Sequence, residues 1–385
     1  MSNLITLPRI MQVGAKASEE IGNIINSLGY KNSIIITDPM MVKLGYSKKI
    51  EENLAKFKIS CEIFDNTIPE PTVESIQRGM EKVKNGNFDC IIALGGGSPI
   101  DSAKAISILA KYGGKMQDYR FPRIVSELGL PLIAIPTTAG TGSEVTRFTI
   151  ISDEKTDEKM LFTGLGFMPV AALVDYELTL SVPQRTTADT GIDALTHAME
   201  AYVSKKANLY SDLQALQAMK LIAPNLRTVF NDGNNKEARE AMMLGSTLAG
   251  VAFSNASVAL VHGMSRPIGA NYHVPHGLSN AMLLPSVTKF SLVAAVERYA
   301  DCARAMGIAN SDDSDDVAND KLLIELESLN TDLNVPSPEG FGINKDDFMS
   351  KLEIMAEQAI ASGSPGNNPR VPNNDEIIEI YKTLW

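Results

Sequence analysis

The stretch DCIIALGGGSPIDSAKAISILAKY, residues 89–112, consists of a buried strand, three consecutive glycines and a helix. Glycines allow positive φ and let backbone N–H groups approach a ligand without a Cβ in the way. The helix opening near Ser98 points its positive dipole end at this turn, which suits an anion such as a pyrophosphate. The turn matches neither GxGxxG nor a P-loop, and a tight strand–helix turn without a ligand is the alternative. Its position after an apolar strand favours phosphate binding at Gly95, Gly96, Gly97 and Ser98.

The N-terminal part of the chain alternates short β-branched runs with amphipathic stretches, which is typical of βαβ units around a parallel sheet. The predicted strands lie at 33–38, 59–65, 89–95, 132–137 and 169–175, and the predicted helices at 16–29, 39–56, 72–85 and 99–111. The run 145–162 predicts a β-hairpin around a charged turn.

The C-terminal part lacks strand patterns and shows long helical periodicities. The predicted helices lie at 184–204, 208–230, 235–253, 286–306, 320–333, 345–361 and 374–384. The acidic cluster at 311–320 is interpreted as a solvated loop. We therefore predict an α/β dinucleotide-binding domain over 1–182, a parallel sheet with flanking helices, joined to an all-helical metal-binding and substrate domain over 183–385.

Composition excludes several classes of function. A net charge of −11 and a pI near 5.0, without a basic block, argue against a nucleic-acid or anionic-membrane partner. No apolar run reaches the roughly 18–20 residues that cross a bilayer, and the N-terminus lacks the features of a signal peptide. Three cysteines, Cys61, Cys90 and Cys302, show no CxxC spacing and cannot all pair, which suits a reducing compartment. We expect a soluble cytoplasmic protein.

The histidines are concentrated in a way that indicates a metal. Only four occur in the chain; His262 and His276 delimit the stretch HGMSRPIGANYHVPH, and His197 follows Asp193 by four residues in a helical pattern. A carboxylate and imidazoles from separate segments make a mixed O/N site that suits Fe²⁺ or Zn²⁺. The alternatives are an ordinary helix-surface pair and half-buried histidines. The apolar neighbours favour the metal, because an unpaired buried imidazole is costly.

A second loop of small residues follows the next predicted strand, in IPTTAGTGSEVT. It supplies four hydroxyls in seven residues, from Thr137, Thr138, Thr141 and Ser143. Open α/β sheets bind ligands at the carboxyl ends of their strands, so this loop is a candidate cofactor contact. A Thr-rich loop without a ligand is the alternative.

Asp38 ends the first predicted strand, and two roles for it are open. A carboxylate at this position of a dinucleotide domain can accept hydrogen bonds from the adenosine ribose and would repel a 2′-phosphate, which favours NAD over NADP. Asp is equally a preferred N-cap for the helix that would begin at Pro39.

Four motifs together resemble the iron-containing, or group III, alcohol dehydrogenases. These motifs are GGGSPIDSAK (95–104), PTTAGTGSE (136–144), TGIDALTHAMEAY (190–202) and HGMSRPIGANYHVPHG (262–277). The resemblance spans nearly the whole chain, in the family's order and at its spacing. It implies an N-terminal dinucleotide domain, a helical metal-binding domain with a cleft between them, and at least a homodimer.

The resemblance also implies roles for individual residues. The metal ligands would be Asp193, His197, His262 and His276. The pyrophosphate would lie on Gly95, Gly96, Gly97 and Ser98, with Asp101 near the nicotinamide end, and the cofactor would be lined by Thr137, Thr138, Thr141 and Ser143. Lys159 and Asp38 would contact riboses, and Phe253 would line the substrate pocket. Iron is implied by the resemblance alone, since Zn²⁺ competes well for such ligands.

The chain departs from the family pattern at Arg266, where many members carry a histidine beside the nicotinamide. A permanent cation near the pocket could attract an acidic substrate, or it could pair with a carboxylate in the cleft wall; the ion pair is the favoured interpretation. His273 is the only remaining imidazole that could replace a proton relay. An ordinary loop histidine is the favoured interpretation there.

The function implied is a metal-dependent alcohol dehydrogenase that interconverts a small primary alcohol or diol and its aldehyde, with hydride transfer to and from NAD(H). One alternative is an NAD-linked dehydrogenase of a short ω-hydroxy acid. Others are a lyase similar to dehydroquinate synthase, which would need several cations beside the metal, and a non-catalytic NAD or metal sensor.

Overall fold

The computed structural model describes residues 2–156 and 158–385. The chain divides into two compact units, one formed by Thr6–Ser181 and the other by Val182–Trp385 with the first residues of the chain. The first unit contains a parallel six-stranded sheet with flanking helices, and the described residues of the second contain helices without strands. The predicted fold class is confirmed.

Six parallel strands form the main sheet, in the order β1-β8-β5-β4-β2-β3, and β6 and β7 form an antiparallel hairpin. The strands are β1 (Ile10–Val13), β2 (Asn32–Ile36), β3 (Ser60–Phe64), β4 (Cys90–Gly95), β5 (Leu132–Pro136), β6 (Phe148–Asp153), β7 (Glu158–Thr163) and β8 (Ala171–Val174). The hairpin expected within 145–162 is therefore present. The edge strand β1 was not predicted, because it is short and three of its four side chains are exposed, so it carries no apolar alternation.

The helices of this unit are α1 (Ile21–Leu28), α2 (Pro39–Lys43), α3 (Tyr46–Lys56), α4 (Val73–Asn85) and α5 (Gly97–Tyr112). Short 3₁₀ helices lie at Ala17–Glu20, Met116–Tyr119, Ser143–Val145, Leu165–Phe167 and Tyr176–Thr179. The single helix predicted over 39–56 is wrong. The chain breaks it at Gly45, whose φ of 77° lies in the left-handed region that favours glycine.

Both faces of the sheet are buried, because alternate residues of its central strands enter two different cores. Ile34 and Ile36 of β2 pack on the side of α4 and α5, whereas Ile35 packs on the side of α1 and α3. This alternation follows from the two-residue period of a strand. It also explains why these strands read as continuous apolar runs in the sequence.

The strand order changes direction between β2 and β4. From β2 the chain moves to the outer strand β3, whereas from β4 it moves to β5 on the opposite side. In open parallel sheets, ligands bind at the carboxyl ends of the strands on either side of such a switch. Asp38 follows β2, and the glycine triplet lies at the end of β4, so both candidate motifs lie at this position.

The second unit consists of α6 (Gln184–Val203), α7 (Leu209–Asn231), α8 (Lys236–Ala256), α9 (Leu260–Tyr272), α10 (His276–Leu292), α11 (Val296–Ala305), α12 (Asp315–Asp332), α13 (Pro338–Phe341), α14 (Lys345–Ser350), α15 (Leu352–Ala361) and α16 (Asn374–Lys382), with a 3₁₀ helix at Pro365–Asn367. The single helix predicted over 286–306 is wrong, since it joins the end of α10 to α11. The run predicted over 345–361 is likewise two helices. Helix α9 was not predicted, because it contains two glycines and Pro267, which weaken a helical pattern.

The acidic stretch 311–320 is not a loop throughout, as the sequence had suggested. Ser314 caps α12 by accepting a hydrogen bond from the N–H of Val317, and Asp315 and Asp316 lie in the first turn. Carboxylates at this end of a helix interact favourably with its dipole, and residues 315–320 of the stretch are helical.

Within the described residues no single helix is long and apolar enough to cross a bilayer; α8 and α9 pass that test only as a joined pair, and they are bent by 103° relative to each other. Cys61, Cys90 and Cys302 are free thiols.

Candidate functional site

Four side chains of the helical unit converge on one point. Helix α6 places Asp193 and His197 on one face because they are four residues apart, and α9 and α10 contribute His262 and His276. One ligand atom from each lies within 4.8 Å of all the others. The Oδ1 of Asp193 is 3.8 Å from the Nε2 of His197, 3.4 Å from that of His262 and 3.6 Å from that of His276.

The electrostatics of this cluster favour an ionised carboxylate among the imidazoles. Burial disfavours the charged form of Asp193, but the three surrounding histidines hold the pKa of its carboxyl well below the usual range. Burial also disfavours an imidazolium at His262, and the carboxylates of Glu200 and Asp193 nevertheless raise its pKa to about 9. The cluster thus buries an ionised carboxylate together with positive charge that compensates it. A divalent cation can supply that charge.

Asn280 was not identified from the sequence, although it follows His276 by four residues on α10. Its side chain is fully buried, and Nδ2 donates to the Oδ1 of Asp193 over 2.7 Å. The same nitrogen lies 3.2 Å and 3.3 Å from the Nε2 atoms of His262 and His276. Its Oδ1 is buried without a hydrogen-bond partner among the described residues. The amide nitrogen thus faces three ligand atoms whose lone pairs converge, and a cation that accepts those lone pairs fits the same point.

Glu200 was also missed, and it lies three residues after His197 on the same face of α6. Its Oε2 is 2.6 Å from the Nδ1 of His262, and its Oε1 accepts a hydrogen bond from the N–H of Val261 over 2.6 Å. The spacing of Asp193, His197 and Glu200, at i, i+4 and i+7, is the sequence pattern that could have indicated it.

The two residues predicted to contact the substrate, Phe253 and Arg266, differ in burial and in their contacts. Phe253 is buried and stacks on the ring of His197, with centroids 4.2 Å apart and planes 18° apart. Arg266 lies one turn after His262 on α9 and is half-buried. The ion pair favoured for Arg266 from the sequence is wrong: within the described residues its guanidinium makes none. Burial lowers its pKa to about 10, an effect that the charge of nearby Glu200 partly offsets. His273 is exposed, in a left-handed conformation that ends α9.

In the α/β unit, the glycine triplet forms the turn from β4 into α5. Gly95 has a φ of 145°, and a Cβ there would lie 2.6 Å from the ring of Pro99. Helix α5 begins at Gly97, and within the described residues no side chain caps its first turn and no acidic side chain lies in it. Its first backbone N–H groups and the positive end of its dipole are therefore directed at an anion-binding position.

The threonine-rich loop after β5 packs directly against this turn. A Cβ on Gly97 would lie 2.8 Å from the Cγ2 of Thr141, and one on Gly96 would lie 3.3 Å from the Oγ1 of Thr138. Glycine thus allows the two loops to touch. Thr137 is buried, and its backbone N–H donates to the carbonyl of Gly95.

Ser143 and Asp101 belong to a buried network that holds the threonine-rich loop. The Oγ of Ser143 donates to Asp101 over 2.6 Å, and the other oxygen of Asp101 accepts from the N–H of Ile150. Lys104, which no sequence argument had singled out, donates to Ser143, to both oxygens of Thr146 and to the carbonyl of Phe148. Both carboxylate oxygens of Asp101 are therefore engaged by the protein itself.

Asp38 is an N-cap, since its Oδ1 accepts from the N–H groups of Met40 and Met41 at 2.8 and 3.1 Å. Its other oxygen faces the glycine turn, where a Cβ on Gly95 would lie 3.3 Å from Oδ2. The cap therefore leaves the second oxygen directed at the candidate cofactor site.

Lys159 is connected to the glycine turn through Glu70. Its Nζ forms an ion pair with the Oε1 of Glu70 at 2.8 Å. The backbone N–H of Glu70 in turn donates to the Oγ of Ser98 in the glycine turn. Lys159 thus lies close to the predicted phosphate site, with its ammonium group already paired.

Comparisons with known proteins cover both units. A family model described as iron-containing alcohol dehydrogenase matches residues 8–176, and one described as the C-terminal part of the iron-containing alcohol dehydrogenase family matches residues 187–385. The chain is 36% identical to the NAD-dependent methanol dehydrogenase of Bacillus methanolicus, covering 98% of each chain. It is 36% identical to the NADPH-dependent butanol dehydrogenase of Clostridium saccharobutylicum, over 99% of this chain and 97% of the relative. A crystal structure of a 1,3-propanediol oxidoreductase matches with a TM-score of 0.95 and 35% identity over all of both chains.

Proposed function

The chain belongs to the iron-containing alcohol dehydrogenase family, and we propose that it interconverts a small primary alcohol or diol and its aldehyde with NAD(H). The observation that carries the proposal is the convergence of Asp193, His197, His262 and His276. The lyase and sensor alternatives are set aside, because alcohol dehydrogenase family models match both units.

The metal site would be formed by these four side chains, one carboxylate oxygen and three imidazole nitrogens. When bound, a divalent ion supplies a Lewis acid that polarises the alcohol or carbonyl oxygen. The family points to iron, and the same donor set also suits Zn²⁺. Asp193 contributes a permanent negative charge, since its low pKa keeps it ionised at neutral pH. The stacked ring of Phe253 restrains His197 and keeps water from that side of it.

The dinucleotide would be held by the α/β unit. Its pyrophosphate would lie at the uncapped start of α5, on Gly95, Gly96, Gly97 and Ser98, and Thr137, Thr138, Thr141 and Ser143 would line its path. Asp38 would accept from the adenosine ribose through Oδ2, which favours NAD over NADP. Similar relatives use either NAD or NADPH, so the choice depends on such local residues.

The substrate class is inferred from relatives that act on methanol, butanol and 1,3-propanediol. The direct test is a screen of NAD-linked activity across primary alcohols, diols and hydroxy acids, joined to metal analysis of the purified protein. We expect the highest kcat/KM on a neutral alcohol or diol. A protein without activity on any of them, or with activity independent of metal, would refute the proposal.

Arg266 supports a second candidate, a substrate that carries a carboxylate. A half-buried guanidinium without an ion pair in the described chain is a suitable partner for an anionic group. If this candidate is correct, Arg266→Ala lowers kcat/KM selectively on hydroxy acids and semialdehydes, by roughly 1.5–3 kcal/mol or about 10- to 150-fold. An equal effect on acidic and neutral substrates of similar size would exclude it.

We further propose that the enzyme acts in the cytoplasm as a homodimer. The free thiols are consistent with a reducing compartment. Within the described residues the edge strand β1 pairs with a strand on one side only, and it exposes Met11 and Val13, with Leu7 just before it. Exposed apolar edge strands are sites where a second chain can pair, so this edge is the proposed dimer contact.

A further inference from the structure

The carboxylate of Glu200 lies directly behind the ring of His262, on the side away from the other ligands. We propose that Glu200 is a positioning residue of the metal centre, which holds His262 in the tautomer whose Nε2 lone pair is available to the ion. The inference rests on the proposed function, because it requires that His262 ligates the metal.

Both oxygens of Glu200 are fixed by the protein. Oε2 lies 2.6 Å from the Nδ1 of His262, and Oε1 accepts from the N–H of Val261 at 2.6 Å. The side chain is 5% exposed, so water does not compete for these contacts. On the opposite edge of the same ring, Nε2 is 3.4 Å from the Oδ1 of Asp193. The His262 ring is therefore held between two carboxylates with one nitrogen facing each.

This geometry selects the tautomer. A neutral imidazole has one N–H donor and one lone pair, and a carboxylate can only accept. With Nδ1–H donated to Glu200, the lone pair is on Nε2, the atom that faces the other three ligands. Helix α6 thus supplies two ligands, Asp193 and His197, and also the group that orients a third ligand on α9.

The competing explanation is that Glu200 only caps α9, since its Oε1 binds an N–H group in the first turn of that helix. The variant Glu200→Gln separates the two roles. Glutamine keeps a carbonyl oxygen for Val261, but it presents an N–H donor to Nδ1 of His262. That donor favours a lone pair on Nδ1 and a proton on Nε2, which blocks the metal.

The experiment measures the affinity of metal-free protein for Co²⁺ by competition with a chromophoric chelator, together with the visible spectrum of bound Co²⁺. We expect Glu200→Gln to bind Co²⁺ about 10- to 100-fold more weakly and with an altered spectrum, while its circular dichroism stays unchanged. Asp212→Asn is the matched control, since Asp212 forms a 2.6 Å ion pair with Arg298 in the same unit and touches none of the four ligands. It should retain wild-type Co²⁺ affinity. A wild-type affinity and spectrum in Glu200→Gln would overturn the proposal.

A second measurement does not depend on folding of the variant. In Zn²⁺-loaded wild-type protein labelled with ¹⁵N, the four histidines give a simple spectrum of ring nitrogens. We expect the His262 proton on Nδ1; a proton on Nε2 would contradict the proposal. The variant His262→Ala tests the metal centre separately from the role of Glu200. If it keeps wild-type Co²⁺ affinity, the metal centre itself is wrong, whereas loss in His262→Ala without loss in Glu200→Gln refutes only the role of Glu200.

Discussion

The two carboxylate oxygens of Asp38 have different surroundings. Oδ1 caps α2, whereas Oδ2 faces the glycine turn at Gly95. The capping role and the ribose role, which the sequence left as alternatives, are therefore compatible with each other. The ribose role stays a prediction.

Replacement of Asp38 should change the preference between cofactors. We expect Asp38→Gly to raise kcat/KM for NADP relative to NAD, because it removes both the ribose acceptor and a charge that repels the 2′-phosphate. Asp38→Asn is the informative companion, since asparagine caps a helix about as well as aspartate but carries no charge. It should shift the ratio in the same direction. Ratios that stay at the wild-type value in both variants would leave Asp38 as a cap alone.

Some residues of the candidate site could be predicted from the sequence and others could not. The four converging side chains could be singled out because histidine is rare in this chain and the spacing of Asp193 and His197 is specific. Their role as metal ligands stays a prediction. Glu200 and Asn280 could not be singled out, because a buried glutamate or asparagine is recognised only by its contacts, and those contacts join separate helices. The favoured ion pair of Arg266 failed for the same reason, since the position of a carboxylate relative to α9 is a tertiary property.

The loop between β5 and β6 is held by Lys104 of α5. The Nζ of Lys104 donates to side-chain and backbone oxygens along that loop, from Ser143 to Phe148. The sequence predicted the glycine turn after β4, the threonine-rich loop after β5 and these two strands, since strand ends and glycines are local signals. The buried ammonium that joins them was not predictable, since lysine is usually exposed.

The burial of Lys104 predicts a dependence of stability on pH. Burial lowers its pKa to about 8, below the ordinary value of a lysine, so between these two pKa values the unfolded chain holds a proton that the folded chain lacks. The free energy of unfolding should therefore rise with pH through this window, by at most about 1.4 kcal/mol per unit. Lys104→Met removes the titrating group at similar size. Denaturant unfolding at pH 7.5, 8.5 and 9.5 should show a shallower rise for the variant, and identical pH profiles of the two proteins would contradict the prediction.

The sequence predicted an α/β half followed by a helical half, because the period of the apolar pattern changes near residue 182. It joined α10 to α11, because no proline or glycine marks the break at 293–295. It missed α9, because two glycines and Pro267 weaken the helical pattern there. The family assignment rests on both units, since the matched family models extend from residue 8 to residue 385.

The proposed homodimer predicts that a charge on the β1 edge dissociates it. Val13→Lys places an ammonium group on an apolar strand edge, so sedimentation equilibrium should show monomers at concentrations where the wild type is dimeric. Leu209→Lys is the comparison, because Leu209 is an exposed apolar residue on α7 of the helical unit. Dissociation by Leu209→Lys with a stable Val13→Lys dimer would place the contact elsewhere.

We expect one metal, held by Asp193, His197, His262 and His276, to be required for NAD-linked alcohol oxidation. The most direct measurement compares wild-type protein with His262→Ala for bound metal, by elemental analysis, and for NAD-dependent turnover of 1,3-propanediol and short primary alcohols. We expect stoichiometric metal and turnover in the wild type, and loss of both in His262→Ala with unchanged circular dichroism, because removal of a ligand weakens the site and with it the polarisation of the substrate oxygen. A His262→Ala protein that keeps stoichiometric metal and a near-normal rate would contradict the account.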